Sequence, residues 1–540
     1  MKPATEARWR LLGSAMLELQ MLLVTHGLAP RLKRPGQLAG VLSLACDMHV
    51  YPESVIGHDR AIYFLARSRY DKHLGIAYDA LKPPESAASF EGTAEPCELE
   101  GMRVGVKLCP RSHANAAALR ARVPFLAPQC LGLAPSFGFG DRLGLATPGH
   151  VRALARSGLR PVFAQQSVRE MTRTGRAPHQ VLDDAMWGVF QEGFREGFGA
   201  DADHLKTAED VEACAAAGFT LFTLDPGAHV DDTADAASPG QLADRFAALP
   251  WDALESDASA CLARYTGSGA ELPPGASLEW NEADVLRAAA KYGRAIAHTA
   301  RLYRHLARVK GHQPFELEMS VDETASPTSP FEHYFVACEL RRLGVQWVSL
   351  APRFVGRFEK GVDYLGDLAA FERSFAQHAA VARALGPYKL SLHSGSDKFS
   401  IYPIAARLAG DLLHVKTAGT SYVEALRTIA LVAPELFREI LDFACEHYGE
   451  DRASYHVSAD VARVPRLAHH NDSELAATLD QFDTREVLHV TYGSVLNAKA
   501  ANGSWRFRER LFETLRLHED VYGRLLERHL GRHVAPFTKG

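Results

Sequence analysis

The chain has no Cys-x-x-Cys pair, no uninterrupted apolar run of membrane length and no surplus of positive charge, and each absence removes a class of protein. Its eight cysteines (Cys46, Cys97, Cys109, Cys130, Cys214, Cys261, Cys338, Cys445) stand singly. That indicates neither a zinc ribbon nor a disulfide framework, and a reducing cytoplasm is the simplest setting. With 60 Lys and Arg against 65 Asp and Glu, the formal net charge of -5 provides no basic footprint for nucleic acid. The most apolar stretch, residues 9–30, is interrupted by Glu18 and Gln20, and Arg8, Arg10 and Glu18 fit one side of an amphipathic helix rather than a signal peptide. No other window approaches the ~18 consecutive apolar residues of a membrane span, so no membrane partner is expected.

What is present is an ordinary globular composition, 47% hydrophobic and 23% charged. A chain of 540 residues is too long for one ordinary core. Residues 1–125 read as an accessory α+β segment, with a hairpin near 46–68 and a strand at 102–108. From about 126 to 430 apolar strand-like runs alternate with helical runs. The strands are expected at 131–141, 160–167, 200–207, 219–226, 314–323, 346–354, 388–397 and 411–420. Eight strands alternating with helices predict an α/β fold, a (β/α)8 TIM-type barrel. The interval 227–313 is too long for a simple connection and reads as a helical insertion. Residues 431–540 read as a helical C-terminal extension.

In such barrels the chemistry sits where strands end. Residues 388–400 (YKLSLHSGSDKFS) and 411–422 (DLLHVKTAGTSY) each carry a histidine near that point, and His414 and Lys416 share a face because strand side chains repeat every two residues. His204, His393 and His414 fall at equivalent places in their units, so neutral imidazoles can converge on one divalent cation. Such a nitrogen-rich set suits zinc, manganese, nickel or cobalt better than magnesium. A lone histidine at a strand end can equally hydrogen-bond a loop. Other tips offer Asp141 with Arg142, Gln165 with Gln166, Lys206, Asp225, Glu316, Glu318, Asp322, Glu323 and Arg353.

The runs 136–150 (SFGFGDRLGLATPGH), 161–176 (PVFAQQSVREMTRTGR), 182–207, 348–364 and 390–403 resemble the tagaturonate/fructuronate epimerase family, metal-dependent enzymes of hexuronate catabolism. The resemblance covers roughly residues 130–430. It implies an isomerase that inverts C4 of a ketouronate, or of a ketohexose such as tagatose, on a barrel with a divalent cation.

C4 is β to the ketone, so loss of its hydrogen gives no delocalised carbanion. Retro-aldol opening of C3–C4 and re-closure solves this, with a metal polarising the ketone and a base taking the C4 hydroxyl proton. Asp141, Asp322 and Glu318 are the candidates for proton transfer. Arg142, Gln165, Lys206, Arg353 and Lys416 are candidates for holding the anionic substrate. Rival readings are a Schiff-base enzyme using Lys416, a nicotinamide enzyme using the glycine-rich turn 138–144, and a binding module without turnover. The oligomeric state stays open, a homo-oligomer included.

Overall fold

A computed structural model describes residues 14–538 except 30, 33, 100, 155–156, 268, 273–274 and 468–469. Of the apolar N-terminal stretch, residues 9–13 lie outside the described residues, and the chain is helical from 14 to 22.

Eight parallel strands close into a barrel: β1 (Ser136–Gly140), β2 (Arg160–Ser167), β3 (Gly199–Leu205), β4 (Leu221–Leu224), β5 (Glu316–Ser320), β6 (Ser349–Ala351), β7 (Lys389–Leu392) and β8 (Leu413–Thr417). Each expected run contributes one strand, so the protein is a TIM-type (β/α)8 barrel. β8 pairs with β1, with His414 opposite Ser136 and Lys416 opposite Gly138. The strands are short and buried on both sides, as parallel barrel strands must be.

The segment between β4 and β5 contains helices Pro239–Ala247, Ala258–Arg264 and Glu282–Lys310. It also contains an antiparallel hairpin, Gly269–Leu272 with Ala276–Glu279, where the sequence suggested only helix. Asn281 caps the long helix by accepting the Asp284 backbone N–H.

Before the barrel, an antiparallel sheet built on strands Ala61–Arg67, Lys72–Asp79 and Met102–Pro110 has two buried faces. Alternation sends Ile62, Phe64 and Ala66 to the N-terminal helices, and Tyr63 and Leu65 to the core shared with the barrel. After β8 the chain is helical, and its last helix, Glu519–Val534, packs on helix Thr147–Leu154 behind β1. All eight cysteines are free. Among the described residues no helix is long and apolar enough to cross a membrane.

Candidate functional site

Barrel interiors are normally filled with branched apolar side chains, yet this one carries ions near the carboxyl ends of its strands. Alternation turns Asp201 and Asp203 of β3 inward, with Glu318 from β5 and Lys416 from β8. The Lys416 Nζ lies 2.6 Å from Asp201 Oδ2, 2.8 Å from Asp203 Oδ1 and 2.7 Å from Glu318 Oε1, and donates to Thr223 Oγ1 at 2.6 Å. Burial would strip this ammonium of its proton, but the three carboxylates outweigh it and hold the group well above the ordinary lysine range.

His204 follows Asp203, so a regular strand would point it away from the interior. Instead it adopts φ +55, next to a register shift where β4 pairs with β3. Such a φ is uncommon for a residue with a Cβ. Two consecutive side chains therefore reach one place. His204 Nδ1 sits 3.0 Å from Asp203 Oδ1 and its Nε2 3.3 Å from Asp322 Oδ1. His393 extends from the end of β7, with Nε2 2.6 Å from Glu318 Oε1 and Nδ1 3.1 Å from the same Asp322 oxygen. Against burial, Asp203 and Asp322 hold His204 well above the ordinary histidine range, and Asp322 with Glu318 pushes His393 up to about 9.

One donor atom each from Asp203, His204 and His393 lies within 4.8 Å of the others, a spacing that can hold a metal ion. Two observations favour a cation there. The buried His204 Nδ1 makes no hydrogen bond, its approach to Asp203 being ionic without hydrogen-bond geometry. Three buried carboxylates, Asp201, Asp203 and Glu318, share Lys416, and a fourth, Asp322, lies against both imidazoles, so acidic oxygens crowd the donor set. Two imidazoles and a carboxylate are donors that zinc and the later first-row metals accept readily.

His414 does not join this group. It lies two residues before Lys416, one pleat deeper in the barrel, with Nδ1 2.9 Å from Ser136 Oγ and Nε2 unpartnered. Burial pushes it down to about 3, so it is neutral. Asp141 is also placed differently from the acid/base role expected of it. Its carboxylate accepts the backbone N–H of Leu143, Gly144 and Ala146 and so closes the loop after β1. Arg142 faces the mouth but is engaged, by Glu170 at 2.7 Å, the His489 carbonyl at 2.8 Å and the Tyr492 ring at 3.6 Å. Lys206 is mostly exposed and pairs with Asp225 at 3.2 Å. The turn at 138–144 is not open to a dinucleotide, because Gly138 and Gly140 lie inside β1. A Cβ on Gly138 would stand 1.7 Å from Gln165 Oε1, and one on Gly140 would stand 2.5 Å from the Thr417 carbonyl.

Above the ions opens a cavity of about 260 Å³ whose lining includes Asp322, His393, Arg353, Lys360, Ser394 and Tyr455. A smaller recess beneath it reaches Gln165, Asp203, His204 and Lys416. Arg353 donates to the Thr324 carbonyl and Lys360 to Ser394 Oγ at 2.6 Å, and among the described residues neither is paired with a carboxylate. Sequence reasoning overlooked Asp201 and Asp203, although two acids alternating inside an apolar strand were a readable signal. It also overlooked Lys360, and Tyr455 and His489, which come from a loop and a helix of the C-terminal extension and carry no local signal.

A closed parallel barrel with ionisable groups gathered at its strand ends defines a (β/α)8-barrel enzyme. The sequence profile of the tagaturonate epimerase family (UxaE) matches residues 51–537. A tagaturonate/fructuronate epimerase of Thermotoga maritima is 46% identical over 486 residues, 90% of this chain and 96% of that one. The glycerol-complexed crystal structure of fructuronate-tagaturonate epimerase UxaE from Cohnella laeviribosi superposes with a TM-score of 0.85 at 37% identity, over 93% of this chain and 99% of that one. Its native form gives the same values. The chain belongs to the tagaturonate epimerase family and is an isomerase.

Proposed function

We propose that the protein interconverts D-tagaturonate and D-fructuronate by inverting C4 in ketose numbering, using one divalent cation held by Asp203, His204 and His393. The names of its relatives support the substrate pair. The observation that carries the chemistry is the placing of Asp322 Oδ1 between both imidazoles, on the wall of a cavity that also holds two unpaired cations.

Bound at that donor set, the cation would supply Lewis-acid polarisation of the substrate ketone. The protein's own groups do the rest. Asp322, whose side chain is 17% exposed to the cavity, takes the C4 hydroxyl proton. The C3–C4 bonding pair then moves toward the ketone, leaving an enediolate and an aldehyde. The aldehyde turns, the bond re-forms on its other face, and Asp322 returns the proton. Glu318 fixes the His393 ring, and Lys416 partly offsets the burial of Asp201, Asp203 and Glu318. Arg353 and Lys360 hold the substrate carboxylate. Neutral tagatose and fructose lack that group and are accordingly weaker substrates. The eight free cysteines fit a cytoplasmic setting.

Lys416 is a poor Schiff-base nucleophile, since a neutral amine is required and three carboxylates surround this one. The test is to strip the protein with a chelator, verify metal removal by elemental analysis, and follow fructuronate formation from tagaturonate with and without zinc, manganese, nickel or cobalt. Turnover only after restoration is expected. Undiminished turnover in verified metal-free protein overturns the reading.

A further inference from the structure

Lys360 and Ser394 stand on the cavity wall, in the loops after β6 and β7, and a second lysine lies behind that wall. Lys398 is fully buried, and its ammonium has three N–H donors to place. Its Nζ donates to the carbonyls of Glu359 at 2.7 Å, of Ser396 at 3.0 Å and of Val362. Each donor thus has an acceptor, and among the described residues no carboxylate forms an ion pair with it. Burial pulls the group down to about 8, against the pull of Asp397. An apolar side chain would fill the same space without that desolvation, so what the ammonium adds is its directed bonds.

Those bonds join two loops. Glu359 and Val362 bracket Lys360 in the loop after β6, whereas Ser396 stands two residues beyond Ser394 in the loop after β7. The backbone on both sides of Lys360 is therefore fixed to the backbone that presents Ser394. Lys360 Nζ donates to Ser394 Oγ at 2.6 Å, so its stem is held at both ends. Arg485, from helix Phe482–Val490, repeats the connection: Nε donates to the Gly361 carbonyl at 2.6 Å, and Nη2 lies 2.9 Å from Asp397 Oδ1. The carbonyls of Glu359, Gly361 and Val362 all end on buried cations. A lysine side chain is a flexible four-carbon stem, and one ordered beforehand loses less freedom when it takes up an anion.

We propose that Lys398 is a positioning residue, which ties the loop after β6 to the loop after β7 and so holds the Lys360 ammonium over Ser394 at the cavity wall. Lys398 lines neither the cavity nor the recess beneath it, and acts on substrate only through Lys360. The consequence for substrate binding rests on the reading of Lys360 as a partner of the substrate carboxylate, whereas the positioning itself does not.

The test uses the metal-loaded full chain and two readouts. The first needs no substrate: lysines are labelled with trace acetic anhydride, and the acetylation rates of Lys360 and of Lys291, buried in the insertion, are read by peptide mass spectrometry. Lys398→Met should label Lys360 at least about threefold faster, as loss of one hydrogen bond frees its tip, and leave Lys291 unchanged. The second is kinetic. Lys398→Met should raise the Michaelis constant for tagaturonate about tenfold with little change in kcat, and change that for tagatose much less. In a Lys360→Gln background the same substitution should add less than about twofold, because coupled residues are not additive. Unchanged labelling of Lys360, equal acceleration of Lys360 and Lys291, or equal losses on tagaturonate and tagatose overturns the proposal. Full additivity with a Lys360→Gln that itself raises the constant overturns it too. Faster labelling of Lys360 alone, with a wild-type constant in Lys360→Gln, overturns the carboxylate reading and leaves the positioning role standing. Should Lys398→Met fail to fold, Lys398→Gln, which keeps an N–H pair in the same space, carries the same measurements.

Discussion

The imidazoles of His204 and His393 lie 5.1 Å apart, centroid to centroid, at the ends of β3 and β7, and a single oxygen of Asp322 touches both. These strands are not neighbours in the barrel, so only closure of the sheet brings the two rings together.

From that pairing, His204→Ala and His393→Ala should each lose bound metal and at least about 100-fold in turnover while remaining folded, since a coordinating group counts for no less than its outer-shell partners. His414→Gln should keep its metal stoichiometry, because His414 bonds Ser136 and stands apart from the donor set. Elemental analysis and circular dichroism on the three variants check this. Loss of metal from His414→Gln, with metal retained in His204→Ala, would reverse the ligand assignment.

Substrate charge should be read by Arg353 and Lys360. Replacing either by Gln should raise the Michaelis constant for the uronates by about 2 kcal/mol, roughly 30-fold, and change that for tagatose and fructose much less. Equal losses on charged and neutral substrates in both variants would remove these residues from carboxylate binding.

Retro-aldol inversion never breaks the C4–H bond. Product formed in deuterated water should therefore carry no solvent deuterium at C4, and substrate deuterated there should keep its label without a primary isotope effect. Asp322→Asn should slow turnover strongly. Solvent deuterium appearing at C4 at the rate of epimerisation would rule the route out.

Lys416→Met leaves Asp201, Asp203 and Glu318 buried without their shared cation. Breaking such a cluster by removing one partner should destabilise the fold by about 3–5 kcal/mol in denaturant titrations. Borohydride with substrate should trap no adduct on this lysine. A trapped adduct at Lys416 would restore the Schiff-base route.

Buried histidines set an acid limit. Burial pushes His150 and His378 down to about 4, so both are neutral in the folded chain. Because the folded values lie below the unfolded value of about 6.5, their contribution is fully present above pH ~6.5 and is lost as pH falls toward 4. Unfolding free energy should fall over that window, and His150→Gln, which can retain a bond to Ser421, should flatten the slope. A slope unchanged by His150→Gln would show that other groups carry it.

The sequence alone determined the barrel. Strand and helix periodicities are local, and each of the eight expected runs needed only its own apolar pattern and flanking turns to be read. It also determined that His204, His393, Glu318 and Asp322 stand at or near strand ends, because position along a strand is a one-dimensional property. Which of them meet was decided by tertiary structure. His414 obeyed the same local rule as His393 but sits one pleat deeper against Ser136, since register between β8 and β1 sets its depth. His204 faces inward only through its positive φ, which no residue-type preference announces. Asp141 looked free at a loop start, and the backbone amides of Leu143, Gly144 and Ala146 fold back onto it. Tyr455 and His489 reach the mouth from a loop and a helix far along the chain, where the local residue pattern records burial but not the partner buried against. Side-chain type fixes what a residue can do, and long-range packing fixes what it meets.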